Sequence, residues 1–337
     1  MFDVGASRRA GENGRVSLPR RPDPRPVVAG RMPLRVSLVI GLAVALLGSL
    51  WAIADGSASA GPSRPSPSPS APAVAAPAGP AIATSLPVVQ LMAAPPADPC
   101  ADPGVQHALA AGDDNGAVAA FGGGAAFRAA VVAGTAPCID LGDPARLWMV
   151  VNKLRPLNPV RYAPASLGEP ALVADDTAGP VRADVVAALN ELSSAAQNAG
   201  VGAIGLGSGY RSYDMQVSTY SGQIATYGQA QGDALSARPG HSEHQTGLAA
   251  DVVSCAGGCG DIDSFGGTSA GAWVADNAWQ HGFIVRYVAG QTPITGYDPE
   301  PWHLRYVGTQ LAQAYHDGGF ASLEAFFGLP AAPAYAG

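Results

Sequence analysis

Two short segments hold most of the residues whose types and spacing could do chemistry. In segment 239–251, His244 precedes Asp251 by seven residues, and Asp251 falls in an apolar run that predicts a strand. In the second segment, Glu300 precedes His303 by three residues, just before another predicted strand. Two imidazoles and one carboxylate form the protein ligand set of a catalytic zinc, which keeps a fourth position for water. A further carboxylate could then take the proton from that water.

This pattern differs from the HExxH zinc motif, in which both histidines share one face of a helix. Pro299 and Pro301 flank Glu300 and exclude a helix there. The ligands must therefore converge from separate strands. A single His beside a strand is more often a structural, hydrogen-bonded residue, so the metal interpretation depends on these residues occurring together.

Three longer runs carry a resemblance to a known family. They are SGYRSYDMQ (208–216), ARPGHSEHQTGLAADV (237–252) and GYDPEPWHLRYVG (296–308), and the run at 148–167 is similar to the family's opening stretch. In this order they resemble the zinc D-alanyl-D-alanine carboxypeptidases of the VanY type, a group that also includes L,D-carboxypeptidases and D,D-dipeptidases. The resemblance covers roughly residues 145–328.

The resemblance implies a role for each matching residue. His244, Asp251 and His303 match the family's three ligands to Zn²⁺. Glu300 matches the catalytic base, which activates water and then protonates the leaving amine.

Three further residues match positions that contact the substrate in the family. Arg211 matches an Arg that stabilises the oxyanion or grips the substrate, and a guanidinium is well suited to binding a free carboxylate. Ser242 and Gln216 match positions that line the substrate pocket. Ala250 stands where a larger aliphatic residue is usual, which should change packing and not chemistry.

The elements that position these residues follow from hydrophobic periodicity. Apolar spacing predicts helices at 181–200, 212–228 (capped by Ser212), 269–282 and 309–316, and strands at 201–209, 248–254, 283–288 and 302–307. Because helices and strands do not alternate regularly, the pattern favours an α+β fold. We expect a small central antiparallel or mixed sheet flanked by helices, with the zinc site at the sheet.

Several residues near the two segments have simpler interpretations. Glu243 is expected to point to solvent, and His241 could either support a metal ligand or be an ordinary loop residue. Trp302 is expected to wall the pocket, whereas Trp273 and Trp279 are expected in the core.

The N-terminal sequence predicts a segment that inserts into the membrane. Residues 1–35 carry eight Arg against three acidic residues, and residues 36–54 form a 19-residue run without a charge. A helix of that length spans a bilayer, and the charge asymmetry places residues 1–35 in the cytoplasm. The sequence 58–60 (Ala-Ser-Ala) fits a signal-peptidase site, and Met32 could be the true start. A retained transmembrane anchor and a secreted chain cleaved after Ala60 therefore both stay open.

The rest of the chain divides by composition. Residues 55–99 are rich in Pro, Ser and Ala, which predicts a disordered, extended linker. Residues 100–144 are interpreted as a small pre-domain pinned by a disulfide, with helices, and residues 145–329 as the zinc carboxypeptidase domain.

Cysteines and charge narrow the location and the partners. All four cysteines follow the apolar run, and an even number in an exported chain favours disulfides. Three pairings are possible, of which Cys100–Cys138 with Cys255–Cys259 is preferred. The chain has a net charge of −7 despite its basic tail, so the body is acidic. An acidic body argues against nucleic acid as a partner, and we expect a monomer.

Three functions compete on this sequence. The first is an exported zinc carboxypeptidase that removes the terminal D-alanine from peptidoglycan stem peptides. The second is an L,D-carboxypeptidase acting on tetrapeptide stems, which would need the same metal and base. The third is a wall-binding module that keeps zinc without catalysis. The presence of Glu300 argues against the third, because a binding module has no use for a base there.

Overall fold

The computed structural model describes residues 98–336. The predicted basic tail (1–35), membrane segment (36–54) and nearly all of the predicted linker (55–99) lie outside the described residues. Among the helices that are described, none is long and apolar enough to cross a membrane. All the described residues belong to one structural unit.

Short strands and helices of very different length make up this unit. The strands are β1 (Leu167–Gly168), β2 (Val181–Arg182), β3 (Ala203–Ser208), β4 (Ala249–Cys255), β5 (Phe283–Tyr287) and β6 (Glu300–Tyr306). The helices are α1 (Pro103–Ala111), α2 (Asp114–Ala120), α3 (Gly124–Val132), α4 (Val185–Asn198), α5 (Tyr213–Leu235), α6 (Ile262–Phe265), α7 (Ser269–Asn277), α8 (Thr292–Thr295), α9 (Thr309–Asp317) and α10 (Leu323–Phe326). Three 3₁₀ turns lie at Pro99–Ala101, Glu243–Thr246 and Ala278–His281.

The central sheet has four antiparallel strands in the order β3-β4-β6-β5. Strands β1 and β2 form a separate two-stranded pair. The register pairs Asp251 of β4 directly with His303 of β6, and Tyr287 of β5 with Glu300 of β6. Residues that are far apart in sequence thus become neighbours at one end of the sheet. The predicted α+β fold, with an antiparallel sheet flanked by helices, is confirmed.

Two groups of buried side chains stabilise this arrangement. In the larger group, Val185, Leu189 and Leu192 of α4 pack with Ile204 and Leu206 of β3. This packing follows from the helical spacing of apolar residues in α4, which places them on one face.

The second group joins the two ends of the described chain. Phe127 of α3 packs with Trp148, Leu311 of α9 and Phe326 of α10. Asp114 of α2 also accepts hydrogen bonds from the Arg146 side chain and the Leu147 amide, at 3.0 and 2.7 Å. The helices of residues 100–144 therefore pack on the C-terminal helices of the body.

Several element boundaries differ from the prediction. The helix expected over 181–200 begins at Val185, because residues 181–182 pair with β1. The helix expected to end at residue 228 continues to Leu235 after a break at Gly228, where φ is +77°. The helix expected over 269–282 ends at Asn277 and continues as a 3₁₀ turn. The predicted Ser212 cap is confirmed, since its Oγ accepts from the Met215 amide at 3.2 Å.

Both preferred disulfides, Cys100–Cys138 and Cys255–Cys259, are present. The first ties the 3₁₀ turn before α1 to the segment after α3, and the second closes a short loop at the end of β4.

Candidate metal centre and cavity

The structure brings together the three residues predicted to bind zinc. Asp251 and His303 are directly paired on β4 and β6. His244 comes from the 3₁₀ turn Glu243–Thr246, which ends at Gly247 with a φ of +70°. A Cβ at Gly247 would also lie 3.0 Å from the Arg182 amide nitrogen, so glycine suits both the backbone and the space. This turn returns the chain into β4 and places His244 above Asp251.

The distances within the group are short. His244 Nε2 lies 3.2 Å from Asp251 Oδ2, and His303 Nδ1 lies 3.2 Å from Asp251 Oδ1. The two imidazole rings are nearly perpendicular, with centroids 4.9 Å apart. All three side chains are buried. One ligand atom from each of the three residues can be chosen so that all lie within 4.8 Å of one another.

Hydrogen bonding shows that these atoms suit a metal. His244 Nδ1 lies 2.7 Å from the Gly209 carbonyl oxygen, to which it can donate, so Nε2 carries the free lone pair. His244 Nε2 and Asp251 Oδ1 are buried, and neither makes a hydrogen bond to any residue in the described range. Burial, reinforced by the nearby Arg211, lowers the pKa of His244 and keeps it neutral. A buried His/Asp/His set with free lone pairs is typical of catalytic zinc.

Gly209 explains how the preceding segment supports this site. Its backbone approaches Pro180 so closely that a Cβ would lie 2.3 Å from the Pro180 carbonyl oxygen. The Gly209 carbonyl binds His244, and the Arg211 amide donates to the His244 carbonyl at 3.3 Å. Segment 209–211 thus holds the turn that carries the candidate ligand His244, and it places Arg211 next to that turn.

Glu300 lies at the edge of the same group. Its Oε2 is 3.3 Å from His303 Nδ1. Burial raises the pKa of Glu300, and the hydrogen bond to His303 only partly offsets that effect. A carboxyl with a raised pKa beside a metal site has the properties of a general base that later returns its proton.

One cavity of about 390 Å³ connects these groups. Its lining includes Arg211 together with the three candidate ligands and Glu300. Trp302 also lines it, as predicted. Arg211 Nε is buried and has no hydrogen-bond partner among residues 98–336. The cavity therefore combines the three candidate metal ligands, the Glu300 carboxyl and a guanidinium nitrogen of Arg211 that is available to donate a hydrogen bond.

Two residues predicted to line the pocket do not do so. Ser242 is buried and is not part of the cavity lining. Gln216 is fully buried behind the wall, and its Nε2 donates to Ser236 Oγ and the Ala237 carbonyl at 3.2 and 2.7 Å. Ser236 and Ala237 themselves line the cavity. Gln216 thus supports the wall, and a role for either residue in substrate binding stays a prediction.

The expectation that Glu243 points to solvent is wrong. Its side chain is 1% exposed. Its Oε1 accepts from Arg286 Nε and Arg305 Nη1, both at 2.9 Å, and its Oε2 lies 3.3 Å from His303 Nε2. Burial opposes ionisation of Glu243, but the two guanidinium groups outweigh it and hold the pKa of this carboxyl well below its usual range.

Sequence reasoning also missed the partners of Glu243. Arg286 and Arg305 each interrupt an apolar strand, FIVRY and HLRYV, and Glu324 lies among the apolar residues of α10. All three side chains are almost fully buried. A charged residue at an inward position of an apolar strand is the signal that could have found them, because buried charges are normally paired.

The remaining aromatic residues and His241 have structural surroundings. Trp273 and Trp279, expected in the core, are only partly buried and pack against the outside of the two core groups. His241 Nδ1 lies 2.8 Å from the Asn152 carbonyl oxygen, and its ring packs edge-on against Tyr335. His241 therefore belongs to a loop contact and is not a partner of a ligand.

Comparison with known proteins matches part of this chain to a family. Residues 179–309 match the family described as VanY, D-alanyl-D-alanine carboxypeptidase. The carboxypeptidase-like protein YodJ of Bacillus subtilis (strain 168) is 41% identical over 147 residues, which cover 44% of this chain and 53% of YodJ. The chain spans only 37% to 56% of the length of the four curated relatives.

Two solved structures are also similar to this chain. The LdcB LD-carboxypeptidase is 37% identical, with a TM-score of 0.51, and the match covers 55% of this chain and 87% of that one. A variant of the vancomycin-resistance D,D-pentapeptidase VanY, solved in complex with Zn(II), is 28% identical, with a TM-score of 0.46 and coverage of 56% and 99%. With the motifs in order and the family model matched at residues 179–309, this chain contains a domain of the VanY family, D-alanyl-D-alanine carboxypeptidase.

Proposed function

We propose that this chain is a zinc-dependent carboxypeptidase that removes the C-terminal D-alanine from peptidoglycan stem peptides. The observation that carries the proposal is the presence of Glu300, Arg211 and the His244–Asp251–His303 group in one cavity. The relatives described as D-alanyl-D-alanine carboxypeptidases support the substrate class.

Zinc, held by His244, Asp251 and His303, would supply an acidified water and polarise the scissile carbonyl. Glu300 accepts a proton at its carboxylate and returns it to the nitrogen of the departing D-alanine. Its burial suits this exchange, because a raised pKa brings a carboxyl closer to the neutral range in which both forms are accessible.

Arg211 binds negative charge in the same cavity. An exopeptidase must recognise a free carboxylate, and a guanidinium can do so with two parallel hydrogen bonds. The same group can stabilise the oxyanion that develops during peptide hydrolysis. The buried and unpartnered Nε of Arg211 is a donor that substrate would satisfy.

A second candidate function is L,D-carboxypeptidase activity on tetrapeptide stems. The observation that favours it is the likeness to LdcB, which is described as an LD-carboxypeptidase that recognises peptidoglycan. Both activities use the same metal site and base, and they differ in the stereochemistry of the residue before the scissile bond. We place the D,D activity first because the matched family is described by it.

We also propose that the folded part works outside the plasma membrane. The two disulfides support an oxidising compartment. The predicted anchor would hold the domain at the membrane, and cleavage after Ala60 would release it instead.

Release of D-alanine from a stem pentapeptide and a stem tetrapeptide, with and without a chelator, tests these assignments. Chelator-sensitive release from the pentapeptide is expected, and added zinc should restore it. Release from the tetrapeptide alone would move the assignment to an L,D-carboxypeptidase. Tight zinc binding without release from either peptide would contradict the enzymatic proposal and favour a binding module.

A further inference from the structure

The buried carboxylate of Glu243 contacts a candidate metal ligand from the side opposite the cavity. His303 has two ring nitrogens, and each faces different partners. Nδ1 lies 3.2 Å from Asp251 Oδ1 and 3.3 Å from Glu300 Oε2, at the candidate metal centre. Nε2 lies 3.3 Å from Glu243 Oε2. The proton on the imidazole must therefore sit on Nε2 if Nδ1 is to bind a cation.

Two arginines fix the position of this carboxylate. Arg286 Nε and Arg305 Nη1 both donate to Oε1 of Glu243, which leaves Oε2 for His303. Arg305 also donates to the carbonyls of Leu147 and Met149, at 3.2 and 2.8 Å. These bonds anchor Glu243 to β5, β6 and the segment around residue 148.

A second buried carboxylate, Glu324, pairs with Arg286 on the side of the arginine away from His303. Arg286 donates to both oxygens of Glu324, at 3.0 and 2.8 Å, and Asn152 donates to Glu324 Oε1 at 3.0 Å. We call Glu243, Arg286, Arg305 and Glu324 the buried ionic cluster; each side chain is at most 1% exposed. Glu243 is the member of this cluster that contacts a candidate ligand.

We propose that Glu243 is a positioning residue that holds His303 with its proton on Nε2, so that Nδ1 is free to bind the metal. The inference rests on the proposed zinc site. A carboxylate that accepts from the outer nitrogen of a metal-binding imidazole fixes both its tautomer and its orientation, and loss of such a partner typically costs 10- to 100-fold in metal affinity.

The arginines make Glu243→Gln a sharp test. A guanidinium only donates, so the amide oxygen of a glutamine must face Arg286 and Arg305. The amide NH₂ then faces His303 Nε2 and requires an acceptor there. That requirement moves the imidazole proton to Nδ1, where it blocks the metal.

Glu324→Gln is the matched control. It removes the same charge from the same buried ionic cluster but touches no candidate ligand. Zinc affinity of the full-length chain, measured by competition with a chromogenic chelator, should fall about 10- to 100-fold in Glu243→Gln. It should stay within about threefold of wild type in Glu324→Gln, because His303 keeps its partner.

The position of the proton on His303 gives a readout that does not depend on activity. With ¹⁵N-labelled histidine, zinc-saturated wild type and Glu324→Gln should show His303 with its proton on Nε2 and its Nδ1 bound to the metal. Glu243→Gln at the same zinc concentration should show the proton on Nδ1. A His303→Gln spectrum assigns the signals. If Glu243→Gln does not fold, Glu243→Asp keeps the charge beside the arginines while withdrawing the carboxylate from His303, and it should also weaken zinc binding.

Two results would overturn the proposal. One is wild-type zinc affinity in Glu243→Gln with the proton still on Nε2. The other is an equal loss of zinc affinity in Glu243→Gln and Glu324→Gln, which would show that the buried ionic cluster stabilises the fold as a whole and that Glu243 has no particular effect on His303. If wild type itself binds no zinc, the proposed function fails, whereas equal zinc binding by wild type and Glu243→Gln would defeat only the role of Glu243.

Discussion

At the scale of single residues, Arg211 is the cavity residue whose contribution is easiest to separate from metal binding. It lines the cavity with the candidate ligands but is not one of them. Its amide donates to the His244 carbonyl and so supports the turn that carries this candidate ligand, and the backbone contact survives a change of side chain.

Arg211→Ala should lower kcat/KM for D-alanine release by roughly 100- to 300-fold, or about 3 kcal/mol, because a preorganised donor to developing charge is lost. Zinc content should not change. Arg211→Lys is the matched control, since it keeps the positive charge but cannot donate two parallel hydrogen bonds. It should recover only part of the wild-type kcat/KM. Unchanged kcat/KM in Arg211→Ala would contradict a role for Arg211 in substrate binding or catalysis.

The sequence predicts residues of this site unevenly. The sequence predicts His244, Asp251, Glu300 and His303, which the structure brings together, because metal and proton chemistry demand particular side chains in short motifs. The sequence misplaces Glu243, because a charged residue beside a candidate ligand is expected at the surface unless its buried partners are known. Those partners come from β5, β6 and α10, so only the packing of distant segments reveals them.

At the scale of elements, the second half of α5 builds one wall of the cavity. After the break at Gly228 the helix runs to Leu235, which lines the cavity with Ser236 and Ala237. Asp233 holds this end in place, because it accepts hydrogen bonds from Tyr220, Gln229 and Arg238. The continuation past Gly228 was not predicted, because a glycine-rich polar stretch is a typical helix end.

Asp233 should give this wall a pH dependence. Burial opposes its ionisation, but the hydrogen bonds from Arg238, Gln229 and Tyr220 outweigh burial and lower its pKa to about 2, from 3.8. The ionised form therefore stabilises the fold fully above pH 3.8, and that stabilisation is lost as the pH falls toward 2.

Asp233→Asn should be less stable at neutral pH by about 1 kcal/mol, after allowance for solvent screening. Its unfolding free energy should also fall less steeply than that of wild type as the pH drops below 4. Urea unfolding across this range measures both effects. Parallel pH profiles for the two proteins would show that Asp233 gains nothing from its partners.

At the scale of the whole molecule, residues 100–144 and the C-terminal helices share one buried group. Phe127 packs with Leu311 and Phe326, and Arg128 Nε donates to the Phe326 carbonyl at 2.6 Å. The sequence indicated helices and a disulfide in this region but not the surface on which they pack. Weakly amphipathic, Ala- and Gly-rich helices do not identify their partner.

The two disulfides should contribute unequally to stability. Cys100 and Cys138 are 38 residues apart, whereas Cys255 and Cys259 are 4 apart. Loop entropy predicts a cost of about 4 kcal/mol for replacing the first pair by serine and about 2 kcal/mol for the second.

Guanidinium unfolding of the full-length chain with each pair replaced measures these costs. D-alanine release at low temperature should persist in both variants, because no cysteine lines the cavity. A larger loss of stability from the Cys255–Cys259 pair would contradict the loop-entropy argument.

The central claim is that Glu300 moves the proton while His244, Asp251 and His303 hold the metal. The most direct test measures zinc content and D-alanine release on the same preparations of wild type and Glu300→Gln. We predict about one zinc ion per chain in both proteins and a rate lower by a factor on the order of 10² to 10⁴ in the variant. Full activity in Glu300→Gln, or wild-type activity without bound metal, would contradict this account.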